Sequence, residues 1–155
     1  MAARLLKGTE IQDQIRAELE GEITSLRAQG VRPGLAAVLV GENPASQIYV
    51  RSKVKACESL GLYSERIDLP ASTSTEQLVE LVNTLNSREE IDGILVQLPL
   101  PKQVETHRVL DAVDPAKDVD GFHPVNAGKL MTGRPGLVPC TPAGILEILR
   151  RSQIQ

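Results

Sequence analysis

Residues Ile94 to Leu98 read ILVQL, an extended run that is apolar on both faces except where Gln97 interrupts it, and no other stretch constrains the fold as strongly. A strand of this kind must be covered on both sides, which is the environment of a central strand in a parallel sheet flanked by helices. Pro99 and Pro101 follow and cannot donate ladder hydrogen bonds, so the strand must stop there and the chain must leave the sheet. Gln97 therefore stands at the carboxyl end of a strand, where open α/β sheets bind ligands. A buried amide at that place needs partners, and a lysine amine, a ligand edge or a neighbouring loop are each able to supply them.

The remaining periodicities alternate helix and strand around this run. Thr9 is a candidate cap for a helix from Glu10 to about Gln29, with Gln12 completing a capping box and Gly30 as the stop. Leu35 to Val40 reads as a buried strand, and Gly41 to Asn43 turn the chain into a second helix. A strand at Tyr63 to Leu69, a helix at Thr75 to Asn86 and a short helix at Gln103 to Val113 follow. The Asp, Gly and Pro content beyond Val113 marks a long functional loop, and Thr141 with Pro142 starts a last helix. The order implies an α/β fold: a three-layer αβα domain with a mostly parallel sheet, occupying residues 1–155. With 155 residues, 41% of them hydrophobic, the chain builds one core and is too short for two ordinary domains. Aromatic residues make up only 2%, so that core rests on Leu, Val, Ile and Ala.

Charge and cysteine usage narrow the function classes. A net charge of -3 with interspersed signs offers no basic stripe for nucleic acid and no attraction to a membrane surface. No secretory signal and no apolar run approaching the length of a membrane span is present. Cys57 and Cys140 form neither a CxxC nor a ligand cluster, which fits a reduced, cytoplasmic setting.

Three segments carry candidate chemistry. In PASQIYVRSKVKACESLG, at roughly 100° per residue, Val50, Val54 and Cys57 define an apolar direction, and Lys53 lies about 60° from it beside Tyr49, Ala56 and Leu60. A lysine so placed is partly desolvated, which favours loss of its proton and suits general acid or base work; a lysine snorkelling at the core edge is the plainer alternative. Gln97 is the second element. The third is KDVDGFHPVNAGKL, where Asp118 and Asp120 share one side of an extended chain. Paired carboxylates can hold magnesium, but no third acidic residue lies close by and such an ion needs more oxygen ligands, so no metal site is expected. A single carboxylate also suits a ligand with adjacent N–H donors, or serves to cap a turn. None of the 12 glycines is separated from another by a single residue, so the chain has no GxGxxG fingerprint. GFHPVNAGK has six residues between its glycines and lacks the P-loop hydroxyl.

The segments YVRSK, DGILVQLPLP, KDVDGFHPVNAGKL and VPCTPAGILEIL, in this order, resemble the N-terminal domain of bifunctional methylenetetrahydrofolate dehydrogenase/methenyltetrahydrofolate cyclohydrolase, in its bacterial form. The resemblance implies that Lys53 is the catalytic lysine, that Tyr49 packs against the folate ring system, and that Gln97 hydrogen-bonds the lysine and sets its protonation state. It implies that Asp120 binds the pterin end, with Ser46 and Cys140 lining the same pocket. The implied chemistry is oxidation of 5,10-methylenetetrahydrofolate with NADP, then hydrolysis to 10-formyltetrahydrofolate. The implied whole protein is a homodimer, with NADP held by a second, Rossmann-type domain that this chain is expected to lack. A short-chain dehydrogenase also uses YxxxK, but its nucleotide glycines are missing here. A non-catalytic folate-binding or dimerisation module is the second reading.

Overall fold

The computed structural model describes residues 4–154. In chain order the elements are α1 (Gly8–Ala28), β1 (Gly34–Val40), α2 (Pro44–Leu60), β2 (Tyr63–Leu69), α3 (Thr75–Asn86), β3 (Gly93–Val96), α4 (Thr106–Ala112), α5 (Pro124–Met131) and α6 (Cys140–Arg151). The three strands form one parallel sheet in the order β2-β1-β3. Pairing outlasts β3 by one residue, because the Gln97 N–H donates to the Val38 carbonyl at 2.9 Å. On the far side of β3 a single parallel bridge joins Ile94 to Asp118, and the Ile94 N–H donates to the Lys117 carbonyl at 2.7 Å.

Alternation along β1 sorts the core into two faces. Ala36, Val38 and Val40 point to one side and pack with Leu78, Val82 and Leu85 of α3 and with Val109 of α4. Ala37 and Leu39 point to the other side and pack with Val50 and Leu95, and Val54 closes this second cluster. Val50 and Val54 thus occupy the direction that the helical wheel assigns to the core. The expected αβα layering is present, with helices on both faces of an all-parallel sheet.

Local signals explain most boundaries. The Asn43 side chain accepts the Ser46 N–H at 3.0 Å, and Pro44 opens α2. Ser74 and Gln77 form a reciprocal capping box at α3. Other boundaries differ from expectation; β3 ends at Val96, and α6 opens on Cys140 with Pro139 as its cap and no side-chain cap, so Thr141 lies within the helix. Helix α1 begins at Gly8 with Lys7 as its cap, and no side chain caps it, so Thr9 and Gln12 lie within the helix. At this end Gly8 is exposed and borders, with Ile11, a crevice shared with Gly144 and Ile148 of α6. Helix α4 begins at Thr106, because Gln103 instead donates to the Ala71 and Thr73 carbonyls and ties the preceding turn down. The long loop expected after Val113 contains α5, which opens on Pro124 and is capped by His123, whose Nδ1 accepts the Val125 N–H at 3.1 Å.

The core predicts its own weak point. Leu78 is fully buried between α3 and the sheet, so Leu78→Ala is expected to lower the unfolding free energy by about 2–5 kcal/mol. Urea denaturation of the two proteins measures this, and a loss under about 1 kcal/mol would mean that the α3 face is not the principal core.

Candidate active site

Four elements bring the candidate residues to one end of the sheet. Lys53 lies one turn beyond Tyr49 on α2, and Gln97 directly follows β3. Asp120 sits on the segment that passes beside β3, and Cys140 opens α6. Tyr49, Lys53, Gln97, Asp120 and Cys140 all line a cavity of about 440 Å³, whose wall is completed by Leu98, Phe122, Pro139, Thr141 and Pro142. Lys53, Asp120 and Cys140 also border a second, mostly apolar hollow of about 610 Å³ that runs beneath α2 towards Leu19 and Leu35.

The Lys53 side chain is 38% exposed, so it is partly desolvated, and its Nζ stands 4.0 Å from Asp120 Oδ1. That pair is at the limit of an ion pair and open to solvent, and is worth at most about 1 kcal/mol. Asp120 has its carboxyl pushed above the ordinary value chiefly by burial; Lys53 pulls it down and the neighbouring Asp118 charge pushes it up. The Cys140 thiol is likewise raised, first by burial and then by Asp120, and it donates to the Val119 carbonyl at 3.3 Å. It is no thiolate nucleophile at neutral pH.

Gln97 departs from its expected role. Its Nε2 donates to the Leu98 carbonyl at 2.8 Å, which fixes the amide orientation, and its buried Oε1 has no protein partner. Gln97 therefore does not hydrogen-bond Lys53, whose Nζ lies at the edge of ion-pair range from Asp120. The consequence is a buried acceptor in the wall of the cavity.

Ser46 is buried behind that wall. It reaches the same Leu98 carbonyl at 3.5 Å and does not border either hollow. Asp118 is also buried, and its Oδ2 accepts the His123 N–H at 2.8 Å and Asn126 Nδ2 at 3.0 Å. It is a loop clamp, in keeping with the turn-capping alternative. Among the described residues no group of three His, Cys, Asp or Glu is arranged to hold a metal ion, and no helix is long and apolar enough to cross a membrane.

Sequence reasoning missed Phe122 and the parts of the wall formed by Pro139, Thr141 and Pro142 around the expected Cys140. The signal available for Phe122 was its rarity, since the chain has one Phe and two Tyr. Nothing in the local pattern could bring Pro139 to Pro142 next to Lys53, because that meeting depends on how the chain returns across the sheet.

The family described as "Tetrahydrofolate dehydrogenase/cyclohydrolase, catalytic domain" matches residues 6–120, about three quarters of the chain. The chain belongs to this family. The matched region takes in Tyr49, Lys53, Gln97 and Asp120, and Cys140 lies beyond it. The "Bifunctional protein FolD" of Koribacter versatilis is 60% identical over 154 residues, which are 99% of this chain and 50% of that protein. The crystal structure of the bifunctional FolD methylenetetrahydrofolate dehydrogenase/cyclohydrolase from Campylobacter jejuni is 43% identical, with a TM-score of 0.96 over 99% of this chain and 55% of that one. The Trypanosoma brucei dehydrogenase-cyclohydrolase, solved with NADP and an inhibitor, is 37% identical with a TM-score of 0.94, covering 99% of this chain and 54% of that one. The chain thus spans about half the length of the relatives it matches.

The raised carboxyl of Asp120 has a measurable thermodynamic consequence. The folded chain holds this proton more tightly than the unfolded chain, so ionisation of Asp120 costs stability above its raised value, and the cost vanishes below the ordinary carboxylate range. Asp120→Asn should therefore melt at a higher temperature than the parent at pH 7, with the gap closing as pH falls through that range. Calorimetric melting across pH tests this, and a variant less stable than the parent at pH 7 would show that Lys53 outweighs burial.

Proposed function

We propose that this chain supplies the folate half of a methylenetetrahydrofolate dehydrogenase/methenyltetrahydrofolate cyclohydrolase site, with Lys53 as the proton-transfer group. The observation that carries the reading is the convergence of Lys53, Gln97, Asp120 and Tyr49 on one cavity at the carboxyl end of the sheet. Family membership supplies the substrate class. Tyr49 presents an exposed ring to a flat substrate, and Asp120 accepts from the N–H edge of the pterin. Gln97 supplies a fixed acceptor, Oε1, in the wall of the same cavity.

In the hydrolytic step water adds to the electrophilic methenyl carbon, which lies between two ring nitrogens. In its free-amine form Lys53 accepts the proton that the attacking water must lose, and it returns one to the departing nitrogen as the carbon–nitrogen bond breaks. Tyr49 holds the ring so that the carbon faces the amine. The oxidative step needs a nicotinamide, and the residues present do not fit a dinucleotide. The β1–α2 turn has the single glycine Gly41, and the Ser46 N–H at the start of α2 is already taken by Asn43. Hydride transfer to NADP, a homodimeric assembly and a cytoplasmic setting accordingly belong to this reading of the whole protein, with residues 1–155 as its folate domain.

Two outcomes test the assignment. Lys53→Met should reduce methenyltetrahydrofolate hydrolysis by the chain about 10²-fold or more with an unchanged circular dichroism spectrum; near-normal turnover would reject Lys53, and folate binding without any hydrolysis by the parent would favour the binding-module reading. Asp120→Ala should act on affinity, weakening folate binding by about 1.5–3 kcal/mol in calorimetry, with chelators making no difference.

A further inference from the structure

The chain has only three aromatic side chains, Tyr49, Tyr63 and Phe122. Tyr63 packs against the core and its hydroxyl is directed to Glu65. The other two are exposed, Tyr49 at 64% and Phe122 at 44%, and both line the cavity that holds Lys53 and Asp120. A core built almost wholly from aliphatic residues leaves its one phenylalanine outside, at the candidate site.

The backbone around Phe122 is held from both sides. Before it, Gly121 has φ of 67°, and a Cβ there would stand 2.7 Å from the Val138 carbonyl carbon and 2.8 Å from Pro139 N, so only glycine allows the loop to lie this close to the segment entering α6. After it, the His123 N–H donates to the buried Asp118 carboxylate at 2.8 Å, and the Gly121 N–H donates to the Asp118 carbonyl at 3.2 Å. The ring of Phe122 is thus presented by a fixed loop, two residues beyond Asp120 on the same cavity wall. Fixing an apolar ring at a site before ligand arrives lowers the ordering cost of binding, and aromatic rings attract one another through stacked or edge-to-face contact beyond the area they bury.

We propose that Phe122 is a second aromatic binding residue, contacting the planar ring whose N–H edge Asp120 holds, so that ring recognition is divided between Tyr49 on α2 and Phe122 on the Asp118-clamped loop. This rests on the folate reading given above. Because Phe122 is the only phenylalanine in the chain, incorporation of 4-fluorophenylalanine gives one fluorine resonance that reports this position alone. The probe is 5-formyltetrahydrofolate, which lacks the electrophilic methenyl carbon. Calorimetry is run in parallel on the parent, Phe122→Leu, Phe122→Ala and Asp120→Ala. The expected result is a fluorine shift that saturates with the calorimetric midpoint, about tenfold weaker binding in Phe122→Ala, and a few-fold loss in Phe122→Leu, which keeps apolar volume without a π face. A stationary fluorine signal, or affinity unchanged by Phe122→Ala, in a chain that binds and still loses affinity in Asp120→Ala overturns the role of Phe122 and leaves the folate reading standing. No binding by the natively folded parent overturns both.

Discussion

Strand β1 is hydrogen-bonded along both edges and apolar on both faces, and the rest of the molecule is arranged to satisfy it. Its neighbours β2 and β3 take the edge N–H and carbonyl groups, while α3 and α4 cover one face and α2 the other. Parallel pairing on both sides requires two crossover helices, and each runs back so that its start lies at the carboxyl end of the strand before it. The start of α2, the end of β3 and the polar groups they carry are therefore gathered at one end of the sheet. Tyr49, Lys53 and Gln97 line one cavity because a doubly buried strand leaves few other ways to connect the chain.

A second constraint is the buried carboxylate of Asp118. A charge removed from water needs hydrogen bonds, and this one finds them in the His123 N–H and the Asn126 amide. Satisfying that charge pins both ends of the loop carrying Asp120 and Phe122. Gly93 contributes from the sheet side, since a Cβ there would run into Val119 and push the segment away from β3. The same charge disfavours ionisation of Asp120, so the clamp sets both the position and the electrostatics of its neighbour.

The site is correspondingly a place where stability is given up. Asp120 is held against burial, Gln97 keeps an acceptor without a protein donor, and Tyr49 and Phe122 expose ring surface. Each is unfavourable for folding alone and useful for recognising a flat ligand with N–H donors on its edge. Such features gather where function, rather than packing, selects the residue.

The sequence by itself determined the layering, the parallel sheet, the approximate extents of β2 and α3, and the α2 face that buries Val50 and Val54, because hydrophobic period, prolines and side-chain caps act locally. Local signals also singled out Lys53, a lysine beside an apolar stripe, and Gln97, a glutamine inside an apolar strand, whereas Tyr49 and Asp120 were marked by the family resemblance. Tertiary structure decided what local signals leave open. Helix α1 starts before Thr9 without any side-chain cap, and α5 formed in a segment whose composition reads as loop. Asp118 became a clamp and Ser46 a buried support, because a carboxylate or hydroxyl serves a ligand or a backbone equally well until the fold fixes which lies within reach. Gln97 was expected to bond Lys53, and its Nε2 bonds the adjacent Leu98 carbonyl instead. That choice turns on distances between three separate elements, which no spacing along the chain encodes.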